Sequence, residues 1–408
     1  MKEYLRLMVM LAVIQPALLM AQKPSAIPGS GPELEADLPG GFQRLQIGDA
    51  APDFKLMGTD DKYHTLGEFS AHKYLLVVFL SNHCPYSHAA ETRLLPWIEQ
   101  MKSHGLAVVA IQPNHPDAIT IDELDYSKYS DSFPEMKLYA AERHFTFPYL
   151  YDGEKQEVTR RYGALATPDL FLFDGDRKLR YSGRFDDSRF EDPNTVTQHD
   201  AINAFNDLLA GKVVDVPATR PMGCAIKWRT KIKKAAMANH DDWQHEPVSL
   251  EPIDAKGVAA LAKNPTTKLR LINVWATWCG PCVAEFPEMV KLSRRLKKRN
   301  FELITISLDQ PSDEAKALNF LKVQQAGMPT HIKESLKEEH RTTNNYLYTE
   351  ASTDALVKSL DPEWPGPIPH TILISPGGKI TWRHNGAIDS TVLLNKIMDE
   401  LGGFYSTN

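Results

Sequence analysis

Cysteine is scarce in this chain: four residues in 408, at Cys84, Cys224, Cys279 and Cys282. That number excludes a disulfide-dense scaffold. Only Cys279 and Cys282 are close in sequence, so a structural zinc site lacks its second pair of ligands. A surplus of basic charge is also missing. Lys plus Arg number 46 against 52 Asp plus Glu, a formal net charge of −6, and no face for nucleic acid is implied. The densest basic stretch, "IKWRTKIKK" from Ile226 to Lys234, reads as a short solvated linker. Long apolar runs are absent apart from one at the start. There Lys2 and Arg6 precede "LMVMLAVIQPALLMA", which Gln15 and Pro16 interrupt and Ala21 ends. This is the pattern of a secretory signal, too short and too broken to anchor as a spanning helix. Cleavage after Ala21 is expected, with export across the inner membrane to the periplasm or the exterior and no stable membrane insertion.

What is present is repetition. "TPDLFLFDGDRKLRYSGRFDDS" from Thr167 and "IPHTILISPGGKITWRHNGAIDS" from Ile368 share one plan: a proline, an apolar strand, a Gly-containing turn, a lysine, a second strand, then Gly and Asp before a helix. Pro168 matches Pro369, and Lys178 matches Lys379 at the same spacing. Upstream, "KYLLVVFLSNHC" and "KLRLINVWATWC" each run a buried strand into a cysteine at a turn. The order strand, helix, strand, helix, hairpin, helix in each copy predicts an α/β fold of two tandem domains, each a mixed central sheet with helices on both faces. Expected boundaries are a signal over 1–21, a linker over 22–42, a first domain over 43–229, an aperiodic charged linker over 230–247 and a second domain over 248–408.

In the second copy "WCGPC" sets Cys279 at a strand-to-helix turn, where unsatisfied backbone N–H groups favour a thiolate. Two intervening residues, Gly280 and Pro281, shape the turn and let Cys282 reach back to resolve a mixed disulfide. A purely structural disulfide across so short a loop gains little stabilisation. "NVWATWCGPCVAEFPEM" with "GPIPHTILISPGGKI" resembles the TlpA-like thioredoxin family of bacterial envelope disulfide oxidoreductases, from about Val248 to the C-terminus. That resemblance implies that Pro369 is a cis proline facing the cysteines, that the backbone of Ile368 pairs with substrate, and that Glu285 handles a proton beside the pair. By its spacing alone, a glutamate one turn along a helix reads as a solvated charge. Thioredoxins proper bury an aspartate where this chain has Asn273, which again implies the acid-base role for Glu285. Trp278, Gly280, Pro281, Ile368 and Pro369, with Thr167 and Pro168 as first-copy counterparts, are the expected substrate contacts.

The first copy carries "IGDAAPDFKL", "CPYS", "FPYLYDGE", "YGALATPDLFLFD", "YSGRFDD" and "GCAIKW", which resemble the peroxiredoxin-like branch of the AhpC/TSA thioredoxin superfamily over about 43–229. A peroxidase of that branch has a proline and a threonine ahead of its cysteine, where this chain has Val77 and Ser81. Ser87 stands where a resolving cysteine would, so Cys84 can attack a disulfide but needs another resolver. Two readings stand: Cys84 is a second redox centre resolved by Cys224, by a free thiol or by the second domain's own pair, or it is a vestige. A disulfide between Cys84 and Cys224 is expected in the oxidised protein. His83 and His88 bracket Cys84, a pattern that suits a soft metal or, in the commoner case, tuning of a neighbouring thiol; no metal site is expected.

The function expected is an exported thiol-disulfide oxidoreductase. Cys279 is its nucleophile and Cys282 its resolving thiol, it needs no bound cofactor, and it acts on protein disulfide or dithiol clients with electrons from an upstream redox partner protein. The alternatives are a thiol peroxidase using Cys84, and a first domain that only docks clients.

Overall fold

A computed structural model describes residues 38–329 and 332–402, without the side chains of 241–242 and 333–335. The expected signal and most of the first linker lie outside the described residues.

Each domain is built on strands that are buried on both faces. Strands β3 (Tyr74–Phe79) and β4 (Leu106–Gln112) are buried at every position, as are β11 (Leu269–Trp275) and β12 (Phe301–Ser307). A sheet covered on both sides needs such continuous runs. In the first domain β3 pairs in parallel with β4, and β4 with β5 (Tyr149–Tyr151); β7 (Asp169–Phe173) and β8 (Leu179–Gly183) extend the other edge antiparallel. A hairpin of β1 (Lys55–Gly58) and β2 (Tyr63–Thr65) completes the order β2-β1-β5-β4-β3-β7-β8. The second domain repeats the plan as β10-β13-β12-β11-β14-β15, with β10 (Glu251–Ile253), β13 (Asn345–Tyr348), β14 (His370–Ile374) and β15 (Ile380–Asn385). The mixed sheets agree with the expected fold class.

Alternation along each strand sends side chains to opposite faces, and helices cover both. On one face of the first sheet Leu76, Val78, Val108 and Leu172 pack against Leu94, Trp97 and Ile98 of α1 (Pro85–Met101), Met136 and Tyr139 of α2 (Phe133–Glu142) and Phe205 of α4 (Asp200–Leu209). On the other, Leu75, Val77, Phe79 and Phe171 meet Tyr162 of α3 (Glu157–Tyr162), together with Ile226 and Trp228. Burial of each such side chain contributes about 1.5–3 kcal/mol. The start of "IKWRTKIKK" is therefore no solvated linker: Ile226 is 1% exposed and Trp228 4%. In the second domain α6 (Ala255–Ala262) and α10 (Thr353–Leu360) cover one face. α7 (Gly280–Arg295) and α11 (Ser390–Leu401) cover the other, and α8 (Glu314–Val323) packs beside the N-terminal half of α7.

The stretch 230–247 differs from the aperiodic linker expected. It carries helix α5 (Ile232–Gln244), which touches both domains. Asn239 Oδ1 accepts from the Ile121 N–H at 3.0 Å, the guanidinium of Arg294 lies 5.6 Å from the Trp243 ring centre, and Arg294 pairs with Glu246. The domains also meet directly through the far end of α7. Arg295 donates to the carbonyls of Leu124 and Ser127 at 3.0 and 2.6 Å. Arg299 donates to the carbonyls of Asp125, Leu401 and Gly402 and lies 4.2 Å from the Tyr126 ring centre. Asp122 takes Lys298 at 2.8 Å; burial raises its pKa, and the hydrogen bonds and charges of its lysine partners outweigh that, down to about 2.

Replacing Arg299 with alanine is expected to loosen this contact and speed amide hydrogen exchange at residues 122–128 at least tenfold, with amides of β3 and β11 unchanged. Unchanged exchange at 122–128 would show that the arginine does not hold the domains together.

Candidate functional site

In both domains the central strand delivers a cysteine to the N-cap of the longest helix. Cys279 caps α7 with extended backbone, and its sulfur accepts from the Cys282 N–H at 3.3 Å. The two cysteines are joined in a disulfide with their α-carbons 5.3 Å apart. Cys279 is 6% exposed and Cys282 fully buried, so only the first sulfur reaches the surface. The Ile368–Pro369 peptide is cis, and the Ile368 carbonyl lies 3.8 Å from the Cys279 sulfur. Trp278, beside the pair, is 64% exposed. Among the described residues no strand pairs with Ile368, which leaves an open backbone edge next to the sulfur. Gly280 and Pro281 form the first turn of α7.

Glu285 is not the solvated charge that its spacing suggested. It is 8% exposed, accepts from Asn273 Nδ2 at 3.2 Å and from the Ile388 N–H at 2.9 Å, and lies one turn beyond Cys282 on the same helix. Burial raises its pKa, and the two hydrogen bonds only partly counter this.

The first domain builds the same junction with different groups. Cys84 is the N-cap of α1, Pro85 opens the helix, and the Thr167–Pro168 peptide is cis. As a thiol, Cys84 donates to the Thr167 carbonyl at 3.0 Å. Ser87 is fully buried, and its Oγ has no hydrogen-bond partner among the described residues. Strand β9 (Cys224–Ala225) pairs antiparallel with β6 (Ala166–Thr167) and sets Cys224 opposite Thr167, the residue whose carbonyl accepts from the Cys84 thiol. Both thiols are free in this structure. Burial alone would raise the Cys84 pKa; hydrogen bonds from Cys224, the positive charge of His83 and the Ser87 N–H bring it down to about 6. The Cys224 pKa is driven well up by its bond to Cys84, by burial and by the Cys84 charge.

His83 and His88 do not face one ligand. His83 Nδ1 is 2.7 Å from Asp131 Oδ2, which also accepts from Ser81 and Asn114, whereas His88 Nε2 donates to the Asn82 carbonyl at 2.6 Å and its ring stacks on Tyr139. Burial and the Arg143 charge hold His88 neutral, its pKa down to about 3. Arg44 pairs with Asp169 at 2.6 Å and Arg143 with Glu91 at 3.4 Å.

The AhpC/TSA family matches this sequence twice, over residues 47–182 and 248–383. The chain belongs to the AhpC/TSA family. Relatives of this AhpC/TSA chain include the thiol:disulfide interchange protein HelX of Rhodobacter capsulatus, 27% identical over 157 residues that cover 38% of this chain and 74% of HelX. The thiol-disulfide oxidoreductase ResA of Bacillus subtilis is 24% identical over 153 residues, 38% of this chain and 66% of ResA. Among solved structures, an uncharacterized conserved protein of Geobacillus kaustophilus is 33% identical, covering 46% of this chain and 95% of its own, with a TM-score of 0.41.

Sequence reasoning missed the polar groups that surround both cysteines. Asp131 lies 47 positions after Cys84 and no local pattern marks it. In the second domain Asp309 accepts from the Thr277 N–H and Oγ1, which pins the turn before Cys279, and His370 stacks on Trp364 at 4.5 Å directly after Pro369.

The raised pKa of Glu285 means that its contribution to stability is full below its unfolded value and is lost as pH rises through the folded one. Glu285→Gln removes that titration. The stability of the variant relative to wild type should therefore rise with pH from about 4 toward neutrality in urea melts; a pH-independent difference would return Glu285 to an ordinary charge.

Proposed function

We propose that this chain is an exported thiol-disulfide oxidoreductase that exchanges disulfides with protein clients through Cys279 and Cys282. The observation that carries this reading is the junction itself: a helix-capping Cys279 beside an open backbone edge at Ile368 and an exposed Trp278, over a buried Cys282 and Glu285. The family relatives named as thiol-disulfide oxidoreductases support it.

In the reducing direction the Cys279 thiolate attacks one sulfur of a client disulfide, and the other leaves as a thiolate. Cys282 gives its proton to the Glu285 carboxylate and attacks the Cys279 sulfur, which breaks the mixed disulfide and forms the internal bridge. The freed client thiolates take up protons, one of them from Glu285. A dithiol of an upstream redox partner protein then reduces the bridge by the same exchange in reverse. All electrons move as thiol-disulfide pairs, so no bound cofactor is required. The partition between reduction and oxidation follows the reduction potential of the pair against that of the client. Client recognition falls to the backbone of Ile368, with Trp278, Gly280, Pro281 and Pro369 around the sulfur. The N-terminal signal pattern supports an extracytoplasmic site of action, and no helix among the described residues is long and apolar enough to cross a membrane.

Cys282→Ser should accumulate a covalent mixed disulfide with a client, since Cys279 still attacks and nothing beside it resolves the product. Cys279→Ser should accumulate none on non-reducing gels. Equal trapping by the two variants would reverse or abolish the assigned roles.

A further inference from the structure

The first domain holds a feature that the second lacks: its own chain covers the backbone edge beside the capping cysteine. From the sheet edge the chain runs back as a strap over residues 217–229. The Ser182 N–H donates to the Pro217 carbonyl at 3.1 Å and the Thr219 N–H to the Ser182 carbonyl at 3.0 Å. At the far end, the Lys227 N–H donates to Asn114 Oδ1 at 2.8 Å, the Arg229 N–H donates to Gln156 Oε1 at 2.7 Å, Lys227 pairs with Glu123, and Ile226 and Trp228 are core residues. Asn114 also donates to Asp131, the carboxylate bound to His83, so one polar network joins the Cys84 loop to the strap. Between the anchors Cys224 lies opposite Thr167 in the β6–β9 ladder, and the Thr167 carbonyl accepts from the Cys84 thiol at 3.0 Å. The approach is close enough to require glycine at 223: a Cβ there would lie 2.0 Å from the Thr167 oxygen and 3.0 Å from the Pro168 nitrogen.

We propose that Cys84 and Cys224 form a second dithiol/disulfide centre, independent of Cys279 and Cys282, in which the strap acts as a built-in client and supplies the resolving thiol that Ser87 cannot. The substrate class is a low-molecular-mass disulfide, RSSR. When the two-residue ladder opens, RSSR takes the place of Cys224; the Cys84 thiolate attacks, giving Cys84–S–SR and RS⁻. On return the Cys224 thiol attacks the Cys84 sulfur, forms the Cys84–Cys224 bond and expels the second RS⁻, which takes the Cys224 proton. Two sulfurs of the protein are oxidised and one RSSR is reduced to RS⁻ and RSH. The occupied edge also argues against the first domain as a docking module for protein clients. Direct exchange with Cys279 is not part of the scheme. In this arrangement α7 separates Cys279 from the domain contact by its 16-residue length, on the order of 24 Å.

The test uses the full chain with Cys279→Ser and Cys282→Ser, so that it stands apart from the function proposed for that pair. The protein is equilibrated in buffers of graded reduced to oxidised glutathione, quenched and mapped without reduction. A Cys84–Cys224 linked peptide is expected, the ratio of linked to dithiol protein varying as the oxidised glutathione concentration divided by the square of the reduced, as an intramolecular disulfide requires. Adding Cys224→Ser should replace it with glutathionylated Cys84. Gly223→Val, with its fold checked by circular dichroism, should lower the linked fraction at least tenfold in favour of the Cys84 adduct. Two free thiols under fully oxidising conditions, a persistent Cys84 adduct in protein that retains Cys224 and Gly223, or a linked fraction unchanged by Gly223→Val would each overturn the proposal.

Discussion

Everything chemical in this chain depends on the junction where a fully buried central strand ends at a cysteine that caps a long helix. Strands β3 and β11 lie between neighbours on both sides and have helices over both faces, so the ends of these strands are held in place. The helix that follows brings its unsatisfied N–H groups to the sulfur. The Ser87 N–H plays this part for Cys84, and the Cys282 N–H for Cys279. Across the sulfur the sheet places the residue before a proline, Thr167 or Ile368. A nucleophile and a backbone edge thus come from one arrangement used twice.

The two copies differ in what lies around that arrangement. In the second domain the partner thiol is on the helix, the carboxylate of Glu285 is buried beneath it, and the edge is open. In the first, the helix position holds Ser87, the partner thiol returns on a strap, and the edge is covered. The buried acid also moves: Glu91, four residues after Ser87, is 1% exposed, its pKa pushed up by burial to about 7, with Tyr139 donating to it at 2.7 Å. One fold therefore presents one cysteine beside an open backbone edge and one beside an edge covered by its own chain.

The contact between the domains lies at the far end of α7 from Cys279. Beside the Asp122–Lys298 ion pair, its arginines meet carbonyls: Arg295 and Arg299 satisfy the Leu124, Asp125 and Ser127 carbonyls of a loop that also supports Asn82, since Ser127 Oγ donates to the Asn82 carbonyl at 2.7 Å. Charged hydrogen bonds of this kind are strong when water is excluded. Because the contact is at the far end of α7 from Cys279, the client-facing edge at Ile368 is left open.

The local pattern determined the strands, the repeat, the capping cysteines and the two prolines, because each rests on apolar periodicity or on residues adjacent in the chain. The resemblance supplied the role expected of Glu285, which spacing alone assigned to solvent. Only the tertiary structure decided that Glu285 is buried, since burial comes from Asn273 and Ile388, distant in sequence. It also turned the segment 230–247 into a helix between domains: three of the six apolar residues in "TKIKKAAMANHDDWQ" are alanines, and Asn239 and Trp243 find their partners in two separate domains. The neighbourhood of Cys84 and Cys224 was of the same kind. Sequence could count two unpaired cysteines, but their contact is made by a β6–β9 ladder only two residues long, held by the core burial of Ile226 and Trp228 and by the closeness that Gly223 permits.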